Sequence, residues 1–258
     1  IQPSNLVIRD TVWHVHPATI DVKQKNITVR NVQLSHRDEY IRIDGVASNR
    51  LNDTLYVAFN DFRLDDLVRL MPKNSMLFGG VITGVAACPH LFDKSTLVAE
   101  LGVDRFSIND VVIGHLKAST AWNPTKKGLD LFGSVRSLPV EGKPDRQLAK
   151  ATGSFLPVSD SLILDIDAYK VSLQFLQPYL ETFIPAYTAL GSGHVRVAGP
   201  LKKIGVETRA FVEDASLTVG FINTTYSFSD SIFVTPQYVA FRNVKVTDKE
   251  GNTGVVDG

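Results

Sequence analysis

The chain has a single cysteine, Cys88, in 258 residues. That excludes an internal disulfide framework and any cysteine-rich metal site. Its 27 basic and 27 acidic residues cancel, so it lacks the basic footprint that nucleic-acid binding calls for. No apolar run reaches the roughly 18 residues that carry a helix across a bilayer. No basic-then-apolar leader opens at Ile1, and no closing element follows Asp257 and Gly258, so the sequence reads as a segment of a longer chain. What is present is 44% apolar and 21% charged, a balance that fits neither disorder nor a membrane span. Asp, Asn, Thr, Ser and Gly cluster at short intervals between apolar alternations, the pattern of many short strands.

One stretch occurs twice. At Asp53 it opens with an acid and a hydroxyl, Asp53-Thr54, and alternates through Leu55, Val57 and Phe59 to Phe62-Arg63. At Asp160 it opens with Asp160-Ser161 and alternates through Leu162, Leu164 and Ile166 to Tyr169-Lys170. A period of two puts each apolar set on one face of a strand. Gly45 and Gly153 precede the two copies at similar spacing. Each copy runs into a short helical stripe: Leu64, Leu67, Val68 and Met71 in the first, Leu173, Leu176, Leu180, Phe183 and Ile184 in the second. Pro72 ends the first stripe and Pro178 should kink or restart the second. A glycine-spaced strand follows each, with Gly80, Ile82 and Gly84 in one and Gly191, Gly193 and Val195 in the other. The chain therefore reads as one elongated domain over 1–258, with an internal repeat at 45–135 and 153–246.

The remaining alternations bring the expected total to roughly sixteen to eighteen strands and two short helices. Their apolar residues fall on one side almost everywhere, as in antiparallel strands with one solvated face. Two all-β arrangements satisfy this. One is an elongated sheet curled on itself, its apolar faces lining a continuous trough; the other is a β-sandwich of two packed sheets. The repeat favours the curled sheet, because repeated strand units stack into elongated bodies.

Several motifs occur in a distinctive order: Trp13-x-Val15-x-Pro17-x-x-Ile20, Ser35-His36-x-x-x-Tyr40-Ile41-x-Ile43-x-Gly45, and the doubled Asp-Thr/Ser-Leu strand. Gly114-x-Leu116 leading to Trp122-Asn123 follows, then Ala198-Gly199-Pro200 and Val246-x-Asp248-x-x-Gly251-Asn252-x-Gly254. In this order and spacing the chain resembles the TamB-like, AsmA-related proteins that bridge the bacterial envelope, in the forms found in Bacteroidetes-type bacteria. The resemblance covers essentially the whole chain. It implies a periplasmic segment of a protein anchored in the inner membrane elsewhere in its length. It implies a trough-shaped sheet, the β-taco, whose partners are phospholipid acyl chains and a TamA-like or other outer-membrane barrel protein. The implied roles are phospholipid movement to the outer membrane and assembly of autotransporters and other barrels, with no cofactor and no catalysis.

On that reading the alternating apolar residues line a lipid groove. The set is Trp13, Val15, Ile27, Val29, Ile41, Ile43, Leu55, Val57, Phe59, Leu97, Leu101, Leu116, Leu129, Leu131, Leu162, Leu164, Ile166, Val195, Val197, Leu217, Val219, Phe221, Val239 and Phe241. Two other functions fit the pattern. An exposed sheet edge could receive unfolded barrel strands, or the chain could be a structural surface domain with its apolar face self-packed.

Candidate chemistry is sparse. His14 and His16 share a strand face without a third ligand at matching spacing, and a solvated face accounts for them. His36, Asp38 and Glu39 fall in a turn. Cys88 lies near His90, yet Pro89 and its apolar neighbours suit a small buried thiol. Asp65-Asp66 fits a helix cap, and Asp165 with Asp167 fits an exposed strand face, better than an acid–base pair. Gly191-x-Gly193 lacks the third glycine of a dinucleotide loop. Asp248-x-x-Gly251-Asn252 fits a hairpin turn rather than a calcium loop. Trp13, Phe106 and Trp122 fit core aromatics.

Overall fold

A computed structural model describes residues 1–8, 11–50, 52–64, 76–89 and 97–258. The chain is all-β, and its strands form a single antiparallel sheet rather than two packed ones. In chain order they are β1 (Ser4–Ile8), β2 (Thr11–Val15), β3 (Thr19–Lys23), β4 (Asn26–His36), β5 (Glu39–Ala47) and β6 (Thr54–Arg63). Next come β7 (Phe78–Pro89), β8 (Val98–Ile108), β9 (Val111–Asn123), β10 (Gly128–Arg136), β11 (Gln147–Leu156) and β12 (Ser161–Ser172). The last six are β13 (Ala186–Pro200), β14 (Gly205–Val219), β15 (Thr224–Val234), β16 (Val239–Phe241), β17 (Val244–Asp248) and β18 (Thr253–Val256). From β4 to β16 each strand pairs with the next in sequence, so the sheet is an open meander.

The expected first helical stripe, with its Asp65-Asp66 cap, lies outside the described residues beyond Leu64. The second begins as a 3₁₀ turn at Gln174–Leu176 and continues as the short helix α1 (Gln177–Leu180). Pro178 sits in the first turn of α1, where its missing N–H costs nothing, so it restarts the helix rather than breaking it.

Direct cross-strand partners in an antiparallel sheet share a face. Tracing them gives one unbroken row: Val15, Leu34, Ile41, Phe59, Gly84, Leu101, Ala118, Gly133, Ala151, Ile166, Val195, Thr208, Val234 and Val239. Thr208 is its one hydroxyl. A parallel row two residues along runs Phe62, Ile82, Val103, Leu116, Val135, Ala149, Ala168, Gly193, Ala210, Ile232 and Phe241. The opposite face carries Gly102, Lys117, Ser134, Lys150, Asp167, His194 and Arg209 in register. One face is apolar along the length of the meander, and the other is mainly polar, with Val85, Phe132, Ile163 and Phe233 among its polar residues.

The apolar face is concave. Trp13 on β2 and Phe62 on β6 lie three strand spacings apart through β4 and β5, roughly 14 Å on a flat sheet. Their rings nevertheless stand 5.4 Å apart between centroids, as expected for a sheet that curls toward that side. The glycines of the odd strands show the same bend. A β-carbon added at Gly45, Gly84, Gly114, Gly153 or Gly193 would point to the apolar face. There it would meet a carbonyl oxygen of the following strand, at Thr54, Glu100, Arg136, Ile163 or Arg209 respectively. The next strand folds over each glycine, and only a missing side chain admits it.

The even strands carry the complementary device. In β4, β6, β8, β12 and β14 two residues oppose a single partner residue, between Val29 and Val32, Phe59 and Phe62, Val103 and Phe106, Ala168 and Val171, and Val212 and Ala215. The second bulged residue is left-handed each time: Asn31, Asp61, Arg105, Lys170 and Asp214. At four of these bulges its N–H donates to a side-chain oxygen of the opposing residue, at Asp44, Thr83, Ser192 and Ser229. Each bulge resets the side-chain phase, so apolar residues three apart stay on the same face. In β4–β5, β6–β7, β8–β9 and β12–β13 the two devices combine into a two-strand unit, bulge on the even strand and close-approach glycine on the odd one. β10–β11 and β14–β15 each carry only one of them.

That reset corrects the alignment of the two sequence copies. Phe62 follows its bulge and is 5% exposed on the concave face, while Tyr169 sits within its bulge and is 54% exposed. The two aromatics are not equivalent positions.

Candidate apolar groove and polar-face depression

Most of the expected lining residues share the concave face. Val15, Ile41, Phe59, Leu101, Ile166, Val195 and Val239 stand in the first row. Ile43, Val57, Leu131, Leu164 and Val197 stand in a neighbouring row with Val32, Ala86, Ala99, Thr120, Gly153 and Val206. Val29 aligns with Leu55 through Gly45, and Leu129 with Leu162 through Phe155. Leu116 and Phe241 belong to the Phe62 row. Ile27 lies two residues before Val29 on β4, and Leu97 immediately precedes β8. Beyond the β14 bulge, Leu217 and Val219 face Tyr226 and Thr224.

Phe221 departs from the expectation. It lies in the turn after β14 and is 96% exposed, because the strand ends at Val219 before the alternation reaches it. The expected set also left out Leu34, Phe62, Ile82 and Val103, which occupy the same face. Apolar residues spaced by three across two polar ones signal a bulge, and that spacing could have identified Phe62.

The groove differs along its length. At the β2–β8 end it is filled: Trp13, Phe62, Ile82 and Val103 form a buried cluster with Leu34, Ile41, Phe59, Leu64, Leu101, Phe106 and Leu116 packed against it. Trp13 is 1% exposed and is a core residue rather than a contact surface. Further along, Leu131, Leu164 and Val197 are only partly covered. One rim is closed by the 3₁₀ turn and α1. Leu173 packs onto Gly191, where a β-carbon would meet it at 2.8 Å, so this glycine does let the helical segment lie on the sheet. The Asn109 side chain donates to the Phe175 carbonyl across four strands, at 2.8 Å. Tyr187 hydrogen-bonds the Leu173 carbonyl, and burial pushes its phenol up to about 12.

The three candidate histidines each have a local partner. His14 bonds Asn5, His16 bonds Ser35, and His36 bonds the Val12 carbonyl while its ring lies 5.8 Å from Trp13. Among the described residues no group of three metal-ligating side chains converges. Cys88 is half-buried, and burial pushes its thiol up; His90 lies outside the described residues. Asp165 and Asp167 are turned to Arg196 and His194. Asp248 accepts from the backbone of Glu250 and Asn252 and from the Asn252 amide, which closes its turn. Phe106 stacks on Phe78 at 6.1 Å.

An open depression of about 660 Å³ touches Glu100, Lys117, Phe132, Ser134, Lys150 and Thr152, with Leu101, Ala118, Gly133 and Ala151 also in contact. The side chains that flank the latter four on the concave face, Val103, Leu116, Leu131 and Val135, do not touch it. The depression therefore lies on the polar face, with strand backbone as its floor. Compared with models of known protein families, with curated proteins and with solved structures, the chain matches none of them.

Proposed function

We propose that this chain holds phospholipid acyl chains against the concave apolar face of its sheet, as a non-enzymatic segment of an envelope-bridging protein. The observation that carries this reading is the continuity of the apolar rows across more than ten strands on the side toward which the sheet curls. A buried methylene is worth about 0.8 kcal/mol, so a fully covered acyl tail of about fifteen carbons gains on the order of 12 kcal/mol. The partly covered stretch at Leu131, Leu164 and Val197 offers that environment, with few charges to trap a passing chain. In this role the protein works in the periplasm beside a TamA-like or other barrel partner. A photo-crosslinking amino acid at Leu164 should capture phospholipid in native membranes, and one at Asp165, on the other face of the same strand, should not. Leu164→Arg should lower acyl-chain binding about tenfold or more. Equal lipid capture from both faces would sink the proposal.

A second reading rests on the edges. All five residues of β3 are exposed, including Ile20 and Val22, and β3 pairs only with β4 among the described residues. Such an edge can accept an added strand of an unfolded barrel protein.

A further inference from the structure

We infer that the polar-face depression is a binding site for a phosphate monoester carrying an aromatic or apolar body. Lys117, Ser134 and Lys150 stand in one row on β9, β10 and β11. The two lysines are two strand spacings apart, roughly 10 Å between α-carbons, and four-carbon stems let both ammoniums reach one anion. Gly102 continues the row on β8 and leaves the floor open beside Lys117. Neither lysine makes an ion pair among the described residues. The acid opposite Lys150 is Asp167, and its carboxylate is turned away to His194, at 2.9 Å.

The next row supplies Ser119, Phe132 and Thr152. Phe132 is 51% exposed, an aromatic face beside the paired ammoniums, and its row continues through Ser119 and Glu100 to Val85. Two ammoniums match the charge of a phosphate monoester, whereas a diester carries one negative charge. Hydroxyls at Ser119, Ser134 and Thr152 can donate to the remaining oxygens. Glu100 stands at the rim and repels the anion. The site lies on the face opposite the apolar groove, so it stands or falls separately from acyl-chain binding.

A phosphate monoester can come from a soluble metabolite or from a lipid headgroup such as that of phosphatidic acid, and two assays separate them. Phenyl phosphate and inorganic phosphate are titrated into the protein with backbone amides followed by NMR. Sedimentation with phosphatidic acid vesicles is compared with phosphatidylcholine vesicles. Phenyl phosphate should shift the amides of Lys117, Ser134 and Lys150 and bind more tightly than inorganic phosphate. The double variant Lys117→Gln/Lys150→Gln, which alters only exposed side chains, should weaken it about tenfold, and Glu100→Gln should tighten it. Lysine-dependent binding of phosphatidic acid vesicles alone identifies a lipid source; binding of phenyl phosphate alone identifies a soluble one. Binding that survives the double variant, shifts scattered over the surface, or no binding in either assay overturns the inference.

Discussion

His194 stands on the polar face between two aspartates, its Nδ1 2.9 Å from Asp167 and its Nε2 3.4 Å from Asp165. The hydrogen bond to Asp167 is the chief reason its pKa is raised above the ordinary 6.5. A raised native pKa means the folded state favours the imidazolium. Its contribution to stability is therefore complete below the unfolded value and lost as pH rises through the native one. An NMR titration of the ring protons should give a midpoint above 6.5, and Asp167→Asn should lower it. An unchanged midpoint in the variant would contradict the pairing. This contact was not legible in the sequence. Asp165 and Asp167 could be placed on a strand face by alternation, but their partner lies 27 residues from Asp167, and only the register of β12 with β13 brings it opposite.

At the scale of the strand, alternation alone found most of the elements and the face each apolar residue takes. It failed where the chain changes phase. The period-two reading runs smoothly through Leu55, Val57 and Phe59 and then meets Asn60-Asp61, after which Phe62 returns to the same side. Nothing in a strict period of two anticipates that, because the extra residue is defined by its partner strand. Glycine spacing was visible, but the carbonyl that each glycine admits was not. Gly84 tests the device most directly. It has φ +149°, and an added β-carbon would stand 2.2 Å from the Glu100 carbonyl. Gly84→Ala should cost about 2 kcal/mol or more in urea unfolding. Gly102→Ala on the neighbouring strand meets nothing closer than 3.7 Å and should be neutral or slightly stabilising. Equal effects would remove the close approach as the cause of the bend.

Whether a one-sided sheet closes on a second layer or curls over itself is a property of the whole molecule, and both arrangements share one periodicity. The residues that decide it, Trp13 and Phe62, are far apart in sequence and meet only through the curl. Phe62→Ala removes the ring on which Trp13 rests and should destabilise the fold by about 3–5 kcal/mol in denaturant unfolding. Phe132→Ala, on the opposite face, should stay within about 0.5 kcal/mol. Comparable losses would mean the concave cluster is not the anchor of the curvature. The meander has one further consequence. From β4 onward each strand finds its hydrogen-bonding neighbour in the segment just before or after it, so loop-closure entropy stays small at every step. Such a chain can wind up hairpin by hairpin as it leaves the ribosome or a translocation pore, each new strand docking on an edge already laid down.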